Sequence, residues 1–201
     1  MMLYGRRGKF DAYMERIGKI LSRIGLTPNQ WTILSLVVAL AGFYSIINQE
    51  FITAGFLFSL SFLLDLIDGA VARAAGKATK IGAYLDTIVD RYVEFLLLFG
   101  LVFLELPPFI FSTKAWILLL LFGSLMTTYS KAAASEKGLI SGELKGGLIE
   151  RAERSLLLIA SLFLASLNTL YLTYMIALLA GLVNISAIQR FFKALGGGGC
   201  V

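Results

Sequence analysis

Four aspartates stand where aspartates are costly. Asp65 and Asp68 lie three residues apart and Asp86 and Asp90 four apart, each pair inside a run otherwise dominated by aliphatic and aromatic side chains. A carboxylate near the centre of a membrane helix costs about 2.5–3.5 kcal/mol on insertion scales, so some function or partner must offset it. Spacings of three and four put both members of a pair on one helical face. Two such helices joined by a short loop can turn those faces toward each other and gather the four carboxylates into a cage. The chain has no histidine and a single cysteine, Cys200, beside its C-terminus. This excludes Cys/His metal centres, Ser-His or Cys-His nucleophilic pairs and an intramolecular disulfide framework. A cage of carboxylate oxygens without nitrogen or sulfur suits hard divalent ions, Mg²⁺ or Mn²⁺.

Small residues surround the aspartates. Gly69 follows Asp68 directly, Ala70 and Ala72 come next, and Gly82 precedes Asp86 by four. They leave room for another backbone or a ligand to approach. Arg73, one turn beyond Asp68 and Gly69, could meet a phosphate held by metal ions, although its position also suits an arginine that snorkels to the interface. Together Asp65, Asp68, Gly69, Ala72, Arg73, Gly82, Asp86 and Asp90 spell D-x2-D-G-x2-A-R-x8-G-x3-D-x3-D. This run resembles the signature of the CDP-alcohol phosphotransferases at every motif position. Thr27-Pro28-Asn29, ahead of the first apolar run, is similar to a segment often found there in the family.

The resemblance implies transfer of a substituted phosphate from a CDP-linked donor to an alcohol, with release of CMP. It implies that Asp65, Asp68 and Asp86 hold two divalent ions together with Asp90. Such ions neutralise the charges of a pyrophosphate linkage and orient in-line attack. Asp90, which ends the motif, is the implied general base on the acceptor hydroxyl. Donor binding falls by the same resemblance to Asn29, Asp68, Gly69, Ala72, Arg73 and Gly82, with the small residues shaping the slot and Arg73 and Asn29 on the phosphates. Homodimers are usual in the family. Gly100, Gly123 and Ser124 are expected to permit close helix packing of that kind, without locating an interface.

The acceptor must be read elsewhere. Arg151 and Arg154 share one face at a helix start, and Lys131 ends an earlier apolar run, so the three could bind a phosphorylated polyol. The segment Glu150-Arg-Ala-Glu-Arg154 resembles one in family members that use inositol 1-phosphate, the phosphatidylinositol-phosphate and archaetidylinositol-phosphate synthases among them. The same residues could instead be topology charges paired with Glu150 and Glu153. Glycerol 3-phosphate as acceptor, or CDP-inositol as a soluble donor, are the alternatives within the family. The expected donor is a lipid, CDP-diacylglycerol or CDP-archaeol, because the carboxylates open toward a bilayer. Outside enzymes, a divalent-cation transporter is the competing reading, but the aspartates crowd toward one side and no carboxylate in the other spans continues a path across.

The elements that carry these residues follow from composition. At 201 residues, 58% hydrophobic, 15% charged and a mean hydropathy of +0.81, the chain belongs in a bilayer. Six transmembrane helices are expected in an all-α polytopic fold. The first lies within Ile24 to Gln49, the second runs from Phe51 to about Ala75, the third from Ile81 to Leu104, and the fourth from about Thr113 to Ser135. Pro107 and Pro108 separate the third from the fourth, since neither ring continues a helix. The uncharged run from Ser155 to Gln189 is too long for one crossing and breaks at Asn168 and Thr169, giving spans over 148–167 and 170–190. Phe10 to Ile24 alternates apolar and basic residues at helical spacing and is expected to lie as an amphipathic helix in the interface. Apart from Arg91 inside the third span, lysine and arginine fall before the first span, in alternate loops and after the sixth span, with only Lys114 opposite. Both termini and the carboxylates are therefore expected on the cytoplasmic side of the cell membrane, and no signal peptide is apparent. The net charge of +5 is spent on topology; no basic stripe interleaved with aromatics points to nucleic acid. A single membrane domain over 1–195 and a flexible tail over 196–201 complete the organisation.

Overall fold

The computed structural model describes residues 16–22, 25–76, 78–140 and 147–197. Among these there is no β-strand, only an isolated bridge between Phe109 and Phe111. Six long helices follow in order: α1 (Pro28–Ile47), α2 (Phe51–Ala74), α3 (Lys80–Val102), α4 (Thr113–Glu136), α5 (Arg151–Ala165) and α6 (Thr169–Gly197). Residues 16–21 are also helical. They are the described part of the expected interfacial helix; its earlier residues, Lys145 and the tail beyond residue 197 lie outside the described residues.

Local chemistry sets the boundaries. Thr27 precedes α1, Pro28 opens it, and the Thr27 amide donates to the Gln30 side chain at 2.7 Å, half of a capping box. Thr79 caps α3 by accepting from the Gly82 amide at 3.0 Å, and Ser112 caps α4 by accepting from Ala115 at 3.3 Å. Gly76 (φ 61°) and Gly138 (φ 69°) follow α2 and α4 in the left-handed conformation that closes a helix. The span expected from residue 148 starts later, at Arg151, because the Glu150 amide donates to Glu153 at 3.0 Å and Gly147 holds φ 155°. The tail expected from residue 196 also shifts, since α6 runs on to Gly197.

Four of the six helices, α1, α2, α4 and α6, are long and apolar enough to cross a membrane. The other two fall short for separate reasons: α3 carries Asp86, Asp90, Arg91 and Glu94, and α5 has only 15 residues. Large apolar side chains such as Ile33, Val37, Leu40 and Tyr44 of α1 point outward, as lipid contact requires.

The chain divides into two compact units, Met1–Tyr44 with Phe56–Leu97, and Ser45–Gly55 with Leu98–Val201. In the first, Trp31, Leu64 and Val71 form a core with Leu21, Leu26, Val38 and Ile67 around it. Residues 16–22 lie so close to α2 that a Cβ on Gly18 would stand 2.5 Å from the Ala70 carbonyl oxygen. In the second unit, α6 packs along α4 and α5. Gly123 sits at the tightest point of that packing, where a Cβ would meet Asn184 Nδ2 at 2.6 Å and Val183 Cγ1 at 2.7 Å. Asn184 cannot easily withdraw, because its Nδ2 donates to Leu119 O at 3.0 Å and Ala180 O at 2.8 Å. Gly100, Gly123 and Ser124 are all buried within the chain. Gly123 thus serves packing inside one copy, where sequence had offered it to a contact between copies. Gly123→Val is expected to destabilise the protein by about 1–3 kcal/mol. Thermal unfolding in detergent measures this; an unchanged midpoint would refute the tight α4–α6 contact.

Candidate active site

Asp65 and Asp68 sit in the last turns of α2, and Asp86 sits in the second turn of α3. One carboxylate oxygen from each lies within 4.8 Å of the other two. Asp68 is 5% exposed, while Asp65 and Asp86 are half-buried. Three carboxylates this close repel one another and lose hydration, which a cation between them would reverse. The donor set is all oxygen and fits a divalent ion of the Mg²⁺ or Mn²⁺ kind. Asp90, one turn further along α3 and 7% exposed, lies outside this group of three.

Beside the carboxylates is a cavity of about 220 Å³. All six expected donor-binding residues line it, Asn29, Asp68, Gly69, Ala72, Arg73 and Gly82, and so does Asp86. The glycines have identifiable tasks. A Cβ on Gly69 would come to 3.3 Å from Arg73 Nη1, so the guanidinium folds back over that glycine. A Cβ on Gly82 would stand 3.2 Å from Asn29 Oδ1 and 3.1 Å from Thr79 Oγ1, so any side chain there would press on the first turn of α1 where it meets the start of α3. The cavity wall therefore combines hydrogen-bonding side chains with exposed helix backbone, the surface a phosphate-bearing ligand needs.

The remaining expected residues belong to the second unit. Lys131 is exposed on α4, Arg151 half-buried at the start of α5, and Arg154 only 1% exposed. A lysine or arginine that merely fixes topology keeps its charge at the wet interface. Arg154 does not; a guanidinium this deeply buried must be held by polar or anionic groups.

The family model for CDP-alcohol phosphatidyltransferases matches residues 25–186, a range that contains the whole aspartate motif. The chain belongs to the CDP-alcohol phosphatidyltransferase family. It is similar to archaetidylinositol phosphate synthase of Pyrococcus horikoshii, 39% identical over 194 residues that cover 96% of each chain. Among solved structures, phosphatidylinositol phosphate synthase of Mycobacterium tuberculosis with CDP-DAG bound superposes with a TM-score of 0.80 at 27% identity, covering 94% of this chain and 96% of that one. The same mycobacterial protein in complex with manganese and citrate gives a TM-score of 0.80 at 28% identity, covering 94% and 91%. As a CDP-alcohol phosphatidyltransferase the protein is a transferase of phospholipid biosynthesis, and the resemblance read from Asp65 to Asp90 is borne out.

Some residues around this transferase's cavity were not singled out in the sequence. Thr32, Ala78, Thr79 and Ala83 also line it, next to Pro28 of the Thr27-Pro28-Asn29 segment. Thr32 is the most consequential, since its hydroxyl donates to Asp68 Oδ2 at 2.5 Å. The available signal was a threonine one helical turn after Pro28, a position that shares the face of Pro28 and Asn29.

Proposed function

We propose that the protein transfers a phosphatidyl-type group from a CDP-activated lipid, CDP-diacylglycerol or CDP-archaeol, to the hydroxyl of inositol 1-phosphate, releasing CMP by two-metal in-line displacement. The observation that carries this reading is the convergence of Asp65, Asp68 and Asp86 beside a cavity walled by Gly69, Ala72, Arg73 and Gly82. The relatives named above supply the substrate class: one makes archaetidylinositol phosphate, and the other makes phosphatidylinositol phosphate and binds CDP-DAG.

In this proposal Asp65, Asp68 and Asp86, with Asp90, hold two divalent ions. When bound, such ions neutralise the pyrophosphate and the charge that develops on the departing CMP. Arg73 and Asn29 bind donor phosphate oxygens, and Gly69, Ala72 and Gly82 keep the slot open to it. Asp90 takes the proton from the acceptor hydroxyl. Arg151 and Arg154, with Lys131, bind the acceptor's phosphate, where paired guanidiniums match a dianion.

We place residues 1–195 in one functional domain with six crossings, adding α3 and α5 to the four apolar helices. On α3 the charges have partners: Arg91 Nη1 donates to Glu94 Oε2 at 2.9 Å, and Asp86 belongs to the carboxylate group. At 1.5 Å per residue α5 spans roughly 22 Å, so its flanking residues complete the crossing. The amphipathic N-terminal helix then lies in the interface, with both termini and the active site cytoplasmic. Outward-facing apolar side chains leave room for a homodimer in the bilayer.

The test is CMP release by the purified protein in detergent with CDP-lipid and Mg²⁺ or Mn²⁺, comparing inositol 1-phosphate, glycerol 3-phosphate, serine and inositol. Turnover confined to inositol 1-phosphate is the expected result. Turnover with glycerol 3-phosphate instead would overturn the acceptor assignment, and divalent-ion flux into liposomes without CMP release would favour transport. Arg154→Lys keeps the charge and loses the fork. It is expected to raise the KM for inositol 1-phosphate at least about 10-fold and leave the donor KM unchanged. Equal changes in both constants would assign Arg154 to the fold.

A further inference from the structure

Thr32 lies in the second turn of α1, 3% exposed, in a helix whose other side faces outward with Ile33, Leu34 and Val37. A threonine hydroxyl inside a helix ordinarily bonds back to the carbonyl four residues earlier. That acceptor is present, since Pro28 O lies 3.2 Å from Thr32 Oγ1. A second acceptor is closer: Asp68 Oδ2 on α2, at 2.5 Å, with both groups buried. A hydroxyl carries one proton, and the short contact to a carboxylate is the stronger use of it. The branched Cβ of threonine limits the side chain to few rotamers, so the donor is held in place before any ligand arrives.

We propose that Thr32 is a positioning residue for the divalent-ion site: its hydroxyl fixes the rotation of the Asp68 carboxylate and so sets how tightly the three aspartates hold a metal ion. Asp68 is the most buried of the three and belongs to the same helix as Asp65, while Asp86 comes from α3. Free rotation of the Asp68 carboxylate would let its oxygens turn away from Asp86, where mutual repulsion drives them in the absence of a cation. The hydrogen bond opposes that rotation, as partners of ligating carboxylates do in metal sites generally. It also ties the site to the cavity wall. Pro28 and Asn29, one turn before Thr32, line the donor cavity, so a shift of this end of α1 on donor binding reaches Asp68 through one side chain.

This inference rests on the reading of Asp65, Asp68 and Asp86 as metal ligands, and the experiment separates the two. Mn²⁺ is titrated into the purified full-length protein in detergent, without substrate, and free Mn²⁺ is followed by electron paramagnetic resonance. Thr32→Val keeps the shape and removes the hydroxyl; Thr32→Ser keeps the hydroxyl; Thr32→Ala serves as a second deletion if the valine variant does not fold. Asp86→Asn reports on the cluster itself. The expected result is a Kd for Mn²⁺ raised about 10- to 100-fold in Thr32→Val or Thr32→Ala, with Thr32→Ser close to wild type and Asp86→Asn weaker still. Wild-type affinity in both deletion variants, with affinity lost in Asp86→Asn, would overturn the role of Thr32 and leave the cluster intact. Equal affinity in wild type and Asp86→Asn would remove the cluster as the metal site and this proposal with it.

Discussion

Asp86→Asn is expected to reduce CMP release by roughly 10³-fold while leaving the metal-free protein as stable as wild type or more so. The first half follows from charge. Of the three carboxylates in the group, α3 contributes Asp86, which also lines the adjoining cavity. Removing its charge weakens metal binding, and the transition-state charge stabilisation that a bound metal ion supplies is worth several kcal/mol, on the order of 10³-fold in rate. The second half follows from the absence of a cation. Three carboxylates with oxygens within 4.8 Å of one another oppose folding through repulsion and lost hydration. Asparagine has nearly the same shape and no charge, so the substitution relieves both. Wild-type protein should therefore gain thermal stability when Mn²⁺ is added, because the ion binds only the folded site, and Asp86→Asn should gain much less. The two readouts move in opposite directions, which loss of fold alone does not produce. A variant that is inactive, less stable without metal and still stabilised by Mn²⁺ would show that Asp86 serves structure.

How much of this could be read from the sequence depends on which interactions are local. The breaks between helices were legible because they are punctuation in the backbone. Glu50 falls between α1 and α2, Pro107 and Pro108 between α3 and α4, and Asn168 caps the start of α6 with its side chain accepting from Leu170 at 2.9 Å. The aspartates were legible because a carboxylate in an apolar run is conspicuous, and because helical spacing alone puts Asp65 with Asp68. The start of α5 was not. The expected span began three residues early, at 148, because nothing in the apolar run shows that Glu153 accepts from the Glu150 backbone and fixes the helix start at Arg151. Thr32 was missed for a related reason. A hydroxyl in an apolar helix has a local acceptor four residues back, and only the approach of α2 supplies the better one in Asp68.

Burial separated residues that composition treats alike. Lys131, Arg151 and Arg154 carry the same formal charge and fit the same topology rule. Yet the first is exposed and the last is 1% exposed, so the rule explains one and not the other. The glycines divide similarly. Gly82 is bare because Asn29 approaches it, Gly123 because Asn184 and Val183 do, and nothing lies within 4 Å of a Cβ placed on Gly181. A ligand slot and a helix contact both ask for glycine, and only the neighbour's identity tells which one a given glycine serves.

Asp90→Asn is expected to lower kcat by about 10²–10⁴-fold, the range for losing a general base, and to preserve most of the stabilisation by Mn²⁺. The residue was expected both to hold metal and to accept a proton. Its position favours weighting these roles unequally, since three carboxylates converge without it while it remains buried one turn deeper on α3. Four residues further along the same helix is Glu94, 8% exposed and bonded to Arg91. Asp90 thus stands between the carboxylate cluster and a part-buried ion pair, itself shielded from water that would compete for the acceptor's proton. Asparagine keeps the size and one carbonyl oxygen, so it can still orient a hydroxyl but cannot accept its proton. Donor KM should change little, and single-turnover CMP release should slow as much as steady-state turnover if proton removal belongs to the chemical step. Full turnover in Asp90→Asn would reject Asp90 as the base. Loss of the Mn²⁺-dependent stabilisation along with turnover would assign it to the metal site, and the base would then have to be sought elsewhere.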